Sequence, residues 1–296
     1  DEDKPDFRDA KRKFIRRGEG MRSSGRMPGM TSFICTACGT QFAESPEPPR
    51  ACPICDDERQ FVPEAGQDWT DMASLGRTHR VVWKQEADGA STAWSSRRPS
   101  PSASGRSSSK GRRAISSGIA SASSMRPARI AAAGGLTAIA ISHPHFYSSM
   151  VEWSAAFGNV PVYLHADDGE WIQRPAPALH AWAGETMQLG PARAIRCGGH
   201  FAGSSVLHCP WLQGGQGALF VGDTMQVTPD RRHVSFMRSF PNLIPLNAPA
   251  VRRIVEAVRP YRFEALYGAF AGRTIRSAGA DAVERSLERY VRAIEG

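Results

Sequence analysis

Four cysteines in two pairs place the strongest constraint on what this chain can fold into. Cys35 and Cys38 form one CxxC pair, Cys52 and Cys55 form the other, and thirteen residues separate the two pairs. Each CxxC turn points two thiolates at one place, so two such turns can complete a tetrahedron around one Zn²⁺. Closed four-thiolate sites are normally structural. The spacing therefore predicts a small metal-stabilised module over residues 31–70.

The composition bears on the metal and on the cellular compartment. The cysteine pattern resembles a zinc ribbon or a shortened rubredoxin, so zinc is expected, with iron as the alternative because both metals accept four thiolates. Six cysteines among 296 residues are too few for a disulfide scaffold, so a reducing, cytoplasmic compartment is expected. Cys197 and Cys209 are isolated and are expected to be packed as free thiols. A module of this kind also offers a docking surface for a protein partner.

The positive charge is concentrated in one segment. The chain carries a net charge of +8, and residues 91–130 hold eight basic residues and no acidic one. Single-stranded nucleic-acid arms interleave aromatic with basic residues, whereas this segment contains only Trp94, so no nucleic-acid partner is expected. The longest apolar stretch, around Ile130–Ile141, is too short and too interrupted by glycine to span a membrane.

Two segments lack the patterns of folded structure. Residues 1–30 are highly charged without a strand pattern and are expected to be a disordered extension. Residues 91–130 contain fourteen serines and show neither strand nor helix periodicity, which predicts a disordered linker. Alternatively, Ser, Arg, Ala, Pro and Gly are what GC-rich DNA encodes in the wrong reading frame, so this segment can also be a misframed one.

From Gly135 onward, strand-like and helix-like segments alternate, which predicts an α/β layered domain over residues 131–296. Strands are expected at 136–142 and 160–165, in four short segments (MQLG, ARAIRC, SVLHC and GALFVG) and at 263–268. Helices are expected at 148–157, at 248–258 with Asn247 as the N-terminal cap, and at 281–294.

Three loops of this domain carry side chains that bind metals. His143 and His145 follow the first strand, His200 stands between glycines, and Asp223 ends an apolar strand. Imidazoles and a carboxylate are typical zinc ligands, so the three loops together predict a metal site. His165, Asp167 and Asp168 can add a ligand, although turn and capping roles explain the two aspartates equally well. Two further expectations are that His208 packs against the sheet and that Asp56, Asp57 and Glu58 form an exposed acidic turn.

The order of these motifs resembles that of the metallo-β-lactamase fold of metal-dependent hydrolases. The resemblance covers residues 131–296 and implies an αββα sandwich preceded by the cysteine module. It also implies that His143, His145, His200 and Asp223 hold a catalytic metal. The family's antiparallel N-terminal strands should lie between residues 77 and 130, where the composition is wrong for them, so they are expected to be missing or disrupted.

The chain departs from the family's motifs at three places. The family's Asp and fourth His of the first motif are Tyr147 and Ser148 here, and its final His is absent from the stretch Tyr267–Gly272. The resemblance therefore implies one Zn²⁺ at the His/Asp site instead of two. Asp223 is expected to ligate the ion or orient a water, and Tyr147 to donate a hydrogen bond to an oxyanion.

Two functions follow from these observations. The first is a mononuclear zinc hydrolase in which metal-activated water attacks an ester, thioester or amide-type bond of a small-molecule substrate. The alternative is a catalytically degenerate zinc-binding protein that uses the fold for binding. Metal content distinguishes them: about two ions per chain favours the first, and a single ion in the cysteine module favours the second.

Overall fold

A computed structural model describes residues 29–85, 92–97, 114–116, 135–270 and 272–296. The predictions for residues 1–28, and for most of the segment 91–130, lie outside the described residues. Two short β-strands, at 92–97 and 114–116, are described within that segment. None of the helices in the described ranges has both the length and the apolar content that crossing a bilayer requires.

The N-terminal module is a small three-stranded sheet with two short helices. Its central strand β1 pairs antiparallel with β2 on one side and with β3 on the other. The helix α1 begins at a proline inside the second cysteine pair, and Asp71 caps α2 by accepting a hydrogen bond from Ser74 N. The elements are β1 (Thr31–Cys35), β2 (Gln41–Ser45), α1 (Pro53–Asp56), β3 (Trp69–Thr70) and α2 (Met72–Thr78).

Two strand groups follow the module. An antiparallel pair, β4 and β5, precedes a four-stranded sheet in which β6, β7, β8 and β9 run parallel in that order. The elements are β4 (Arg80–Gln85), β5 (Thr92–Arg97), β6 (Ala114–Ser116), β7 (Leu136–Ala140), a 3₁₀ turn (Pro144–Phe146), α3 (Met150–Ala156), β8 (Val162–His165), a second 3₁₀ turn (Ala166–Trp171) and β9 (Leu179–Trp182).

The remaining chain builds a six-stranded sheet and two longer helices. The strand order is β10-β11-β12-β13-β18-β19, antiparallel except for the parallel pair β13 and β18. The elements are β10 (Thr186–Leu189), β11 (Ala192–Arg196), β12 (Ser205–Cys209), a 3₁₀ turn (Gln213–Gly215), β13 (Ala218–Gly222), β14 (Gln226–Val227), β15 (Val234–Ser235), β16 (Met237–Ser239), β17 (Ile244–Pro245), α4 (Ala248–Val258), β18 (Ala265–Gly268), β19 (Thr274–Ile275) and α5 (Gly279–Glu295).

The strand side chains alternate between two apolar layers. In β7, Ile139 belongs to the cluster that contains the α3 residues, whereas Ala140 packs against the six-stranded sheet. In β11, Ala194 faces the four-stranded sheet, whereas Ile195 belongs to the cluster that includes residues of α4 and α5. This period-two alternation buries both faces of each sheet. The layers are therefore helix, sheet, sheet and helix, and the predicted α/β sandwich is confirmed.

Most predicted elements of this domain lie where the sequence patterns place them. The predicted α4 has the observed bounds, and the Asn247 side chain accepts a hydrogen bond from Ala250 N, as its capping role requires. The helix predicted at 148–157 is shorter, Met150–Ala156, because Ser148 has a positive φ of 37° and because Ser149 and Phe157, its two caps, have non-helical backbone angles.

The cysteine module packs directly on the sandwich. Gln41 N donates to Ser148 O at 3.1 Å and Ala43 N donates to Gln173 O at 3.0 Å. Arg174 donates to the side chains of both Gln41 and Glu152. Trp171 joins the apolar cluster formed by the module's own buried residues. These contacts, together with the hydrogen bond from Arg59 to His200 O, place the module beside the segments that follow β7, β8 and β11.

Candidate metal centres

The four cysteines of the module meet at one point. Their Sγ atoms all lie within 4.8 Å of one another, with Cys35 and Cys55 separated by 3.4 Å and Cys38 and Cys52 by 3.6 Å. These separations are far longer than a disulfide bond, and all four thiols are free. Cys35 and Cys52 are fully buried. The cluster has the arrangement that a zinc-ribbon-like site requires, as predicted.

The cysteines also fit a cation electrostatically. Hydrogen bonds from Cys38, Cys52 and Cys55 lower the pKa of the Cys35 thiol well below its ordinary value, whereas the hydrogen bonds with Cys35 raise the pKa of Cys52 and Cys55 well above theirs. The four thiols thus share their protons without a metal, and all four bind a metal as thiolates. Four sulfurs around one point, two of them from fully buried cysteines, suit Zn²⁺ or iron, both of which accept four thiolates.

Three strand ends deliver the second group of side chains. His143 and His145 follow β7, His200 lies in the loop between β11 and β12, and Asp223 directly follows β13. One ligand atom of each lies within 4.8 Å of the others. Ser205 N donates to Ser142 O at 2.9 Å, which ties the beginning of β12 to the first histidine loop. The structure therefore brings together all four side chains that the sequence predicted.

Outer hydrogen bonds orient two of the imidazoles. His143 Nδ1 lies 2.9 Å from Ser142 Oγ, and His200 Nδ1 donates to Met237 O at 3.2 Å. Each bond uses the Nδ1 atom and leaves Nε2 for the site. Nε2 of His143 lies 3.4 Å from Asp223 Oδ2, and Nε2 of His200 lies 3.3 Å from His145 Nδ1. Such partners fix the ring orientation and tautomer of metal-binding histidines.

The polar atoms of this cluster fit a bound cation. His143 Nε2, His145 Nε2 and Asp223 Oδ1 are buried and have no hydrogen-bond partner among the described residues. Burial lowers the pKa of His143 to about 3, of His145 to about 2 and of His200 to about 4. The imidazoles are thus neutral at neutral pH, the form that binds metal. A divalent ion would satisfy the buried atoms that lack partners.

A glycine allows the strand that carries Asp223 to approach the first histidine loop. Gly222 has a φ of +51°, and a Cβ atom there would lie 2.6 Å from Ser142 Oγ. Any other residue would strain the backbone and displace Ser142. Gly222 therefore sets the distance between Asp223 and His143.

A cavity opens directly over the His/Asp cluster. Its volume is about 180 Å³, and it gives a ligand access to His145, His200 and Asp223. Apolar and polar side chains share its walls, which include part of the cysteine module. The lining residues are Arg59, Gln60, Phe61, His145, Phe146, His200, Asp223 and Pro241.

Tyr147 follows the cavity residue Phe146 in the chain, but its hydroxyl is bonded to a backbone carbonyl. The side chain is buried, and its hydroxyl donates to the backbone carbonyl of Asp168 at 3.0 Å. Burial raises the pKa of Tyr147 well above its ordinary value. Tyr147 is not among the residues that line the cavity, so its catalytic role stays a prediction and the observed contact is structural.

The other candidate ligands lie outside both clusters. His165 accepts a hydrogen bond from Asp167 N, and Asp168 accepts one from Gly203 N at 2.7 Å, so both residues stabilise turns. His208 is buried in β12 and its Nε2 contacts Arg262 O at 2.8 Å. Cys197 and Cys209 are buried free thiols, as predicted.

The sequence patterns missed the residue that joins the two centres. Arg59, in the module, is buried and donates from Nη1 to His200 O at 3.1 Å. Its Nε and Nη2 donate to the two carboxylate oxygens of Asp57. The expected exposed acidic turn is therefore wrong for Asp57, whose side chain is only 15% exposed. No motif indicates a contact that spans 141 positions.

Comparisons with known proteins give one strong sequence match. The chain is 39% identical over 275 residues to the uncharacterized protein YmaE of Bacillus subtilis strain 168, a match that covers 90% of the chain and 97% of YmaE. No family model matches the chain.

The solved structures similar to the chain include metallo-β-lactamases. One is described as the first B3 metallo-β-lactamase with an active-site glutamic acid: 15% identity, a TM-score of 0.41, and coverage of 74% of this chain and 86% of that one. Another is the class B3 di-zinc enzyme LRA-12 from an Alaskan soil metagenome: 14% identity, a TM-score of 0.41, and coverage of 62% and 83%.

Proposed function

We propose that this chain, which belongs to the same family as Bacillus subtilis YmaE, is a metal-dependent hydrolase. The proposal rests on the chain's own candidate metal site. The proposed enzyme holds one Zn²⁺ at His143, His145, His200 and Asp223 and a second, structural Zn²⁺ at the four cysteines. Iron is the alternative metal at the cysteines. The substrate is a small molecule with an ester, thioester or amide-type bond.

One observation carries this proposal. Three neutral imidazoles and one carboxylate converge at the base of an open cavity, with buried atoms that lack partners among the described residues. Buried polar atoms without partners are costly, so an arrangement of this kind is typical of a site that binds a ligand. The described residues contain no further histidine or acid in this cluster, which supports one ion.

In the proposed hydrolysis, the metal ion and the side chains of the site have different roles. A bound divalent ion would polarise a substrate carbonyl and lower the pKa of a water to about 7. Asp223 lines the cavity, and its Oδ1 is buried without a hydrogen-bond partner among the described residues. Asp223 can therefore bind the ion or orient the attacking water. A water whose pKa is near 7 would release its proton to solvent.

The cavity walls indicate the shape of the substrate. Phe61, Phe146 and Pro241 supply apolar surface, whereas Gln60 supplies an amide that can bind a polar group. The volume of about 180 Å³ accommodates only a compact part of a ligand, because complete drug-sized pockets usually exceed about 300 Å³. We therefore propose that a short acyl group enters and that the leaving group extends outward.

Hydrolysis assays with two histidine variants test the function. We expect His200→Ala to lose more than about 100-fold of the zinc-dependent activity on ester, thioester and β-lactam substrates, a loss above that typical of outer-shell residues. His180→Ala is the matched control, since His180 is exposed in β9. Equal activity of wild type and His200→Ala would contradict the hypothesis that the chain is a zinc hydrolase. It would favour the alternative, a zinc-binding protein without catalytic activity.

Partners and location are further parts of the proposal. Six free thiols among the described residues suit a reducing compartment, so we propose that the protein is cytoplasmic. The low charge of residues 131–296 supports a small-molecule substrate over a nucleic acid. A protein partner would bind the face of the cysteine module that points away from the sandwich.

A further inference from the structure

The segment that follows the second cysteine pair packs against the His/Asp site. Arg59 is 9% exposed and its guanidinium lies 3.8 Å from the ring centroid of Phe201, the residue after His200. Its Nη1 donates to His200 O, while its Nε and Nη2 donate to Asp57 at 2.6 Å each. The bidentate pair with Asp57 fixes the plane of the guanidinium, so the His200 loop rests on a rigid support.

The same segment also holds the strand that orients the His200 ring. Met237 O in β16 accepts the hydrogen bond from His200 Nδ1. Just beyond Met237, Arg238 Nε donates to Glu58 Oε1 at 2.6 Å, and Asn242 Nδ2 donates to Glu58 O at 2.7 Å. His200 is thus supported at its carbonyl by Arg59 and at its ring by a strand that is bonded to Glu58.

The position of this segment depends on the cysteine cluster. Asp57 directly follows α1, which begins between Cys52 and Cys55, and Cys55 N and Asp56 N both donate to Cys52 O. Gathering four thiolates at one buried point is unfavourable without a cation, so metal binding and folding of such modules are linked. Loss of the metal would therefore release Asp57 and Arg59 together.

We propose that the two metal centres are coupled through Arg59: metal in the cysteine cluster raises the metal affinity of the His143/His145/His200/Asp223 site because it holds Arg59 against His200. Arg59 is a positioning residue, and the cysteine module is an integral part of the hydrolytic site. The inference rests on the metal site of the proposed function. Coupling between two binding sites is reciprocal, so metal at the His/Asp site also strengthens binding at the cysteines.

Cobalt titration of the full chain tests this coupling. Co²⁺ bound by thiolates absorbs through sulfur-to-metal charge transfer, whereas Co²⁺ bound by imidazoles and carboxylate shows only d–d bands, so each site reports separately. We expect Arg59→Met, and separately Cys52→Ser, to weaken Co²⁺ binding at the His/Asp site about 10- to 100-fold, the range typical of outer-shell partners. The double variant should lose no more than either single variant, because both interrupt one connection.

Two controls keep the result interpretable. Arg252→Met removes an exposed arginine of α4 and should leave both cobalt signals unchanged. Arg59→Lys should restore part of the affinity, since it keeps one cationic donor near His200 O but not the bidentate pair. The charge-transfer band of the arginine variants shows whether the module is still folded.

The outcomes separate this inference from the proposed function. If wild type takes no Co²⁺ at the His/Asp site, the proposed function itself fails. If wild type, Arg59→Met and Cys52→Ser bind Co²⁺ at that site equally well, the site stands and the coupling is wrong. Additive losses in the double variant would also contradict the coupling, because they would mean that Arg59 and the cysteines act independently.

Discussion

At the scale of single residues, two imidazoles of the His/Asp site are held by groups outside the set of ligands: Ser142 Oγ contacts His143 Nδ1, and Met237 O accepts a hydrogen bond from His200 Nδ1. The four ligands stand in short motifs at predicted strand ends, so the sequence alone predicts that they lie close together; they are His143, His145, His200 and Asp223. The groups that hydrogen-bond to these ligands were not predictable. Met237 acts through its backbone carbonyl, which no residue type reveals. Ser142 is bonded to the neighbouring imidazole, but a serine beside a histidine is too common a pair to be informative.

Ser142 provides the prediction at this scale. Ser142→Ala removes the hydrogen bond that fixes Nδ1 of His143 and leaves the four ligands in place. We expect zinc affinity at the His/Asp site to fall about 10- to 100-fold, the effect usual for such partners. Competition with a chromophoric chelator measures this affinity. Ser277→Ala, at an exposed serine, serves as the control, and an affinity equal to wild type in Ser142→Ala would refute the assigned role.

At the scale of elements, regular strands and helices were predictable and the loop contacts were not. The apolar runs of β7, β12 and β13 and the capped helix α4 follow from side-chain patterns. The two-residue strands β14, β15 and β17 are too short to show periodicity. The 3₁₀ turn Ala166–Trp171 places buried Asp168 under the His200 loop, a contact across 35 positions that a local pattern does not contain.

Asp168 gives a pH prediction for this contact. Burial raises the pKa of its carboxyl to about 7 from an ordinary value of 3.8. Because the folded pKa is the higher one, the folded chain binds more protons between about pH 4 and 7, and stability falls as pH rises through this window. We expect wild type to lose about 2 kcal/mol of unfolding free energy relative to Asp168→Asn between about pH 5 and 8.

Urea unfolding of both proteins across this pH range measures the difference. Asn keeps an oxygen that can accept the hydrogen bond from Gly203 N, so the comparison isolates the ionisation of Asp168. Asp281→Asn is a suitable control, since Asp281 is exposed in the first turn of α5. Parallel pH profiles for wild type and Asp168→Asn would show that Asp168 does not titrate in this window.

At the scale of the whole molecule, the layered sandwich was predictable and the docking of the module was not. The motif order implied the αββα architecture, and the alternating side chains of the two sheets bear it out. The contacts of Gln41 with Glu152 and of Arg59 with His200 join residues that are more than one hundred positions apart. Polar contacts at such separations produce no periodic sequence pattern, so the sequence alone predicts an independent module. In the structure, the module supplies part of the cavity wall at the His/Asp site.

Zinc content of the 296-residue chain tests the central claim most directly. Wild type equilibrated with excess Zn²⁺ and dialysed should retain two ions per chain, one at the cysteines and one at the His/Asp site. His200→Ala should retain one, and His180→Ala should retain two. A wild-type chain that retains a single ion, unchanged in His200→Ala, would contradict the claim, because the three imidazoles and Asp223 would then hold no metal.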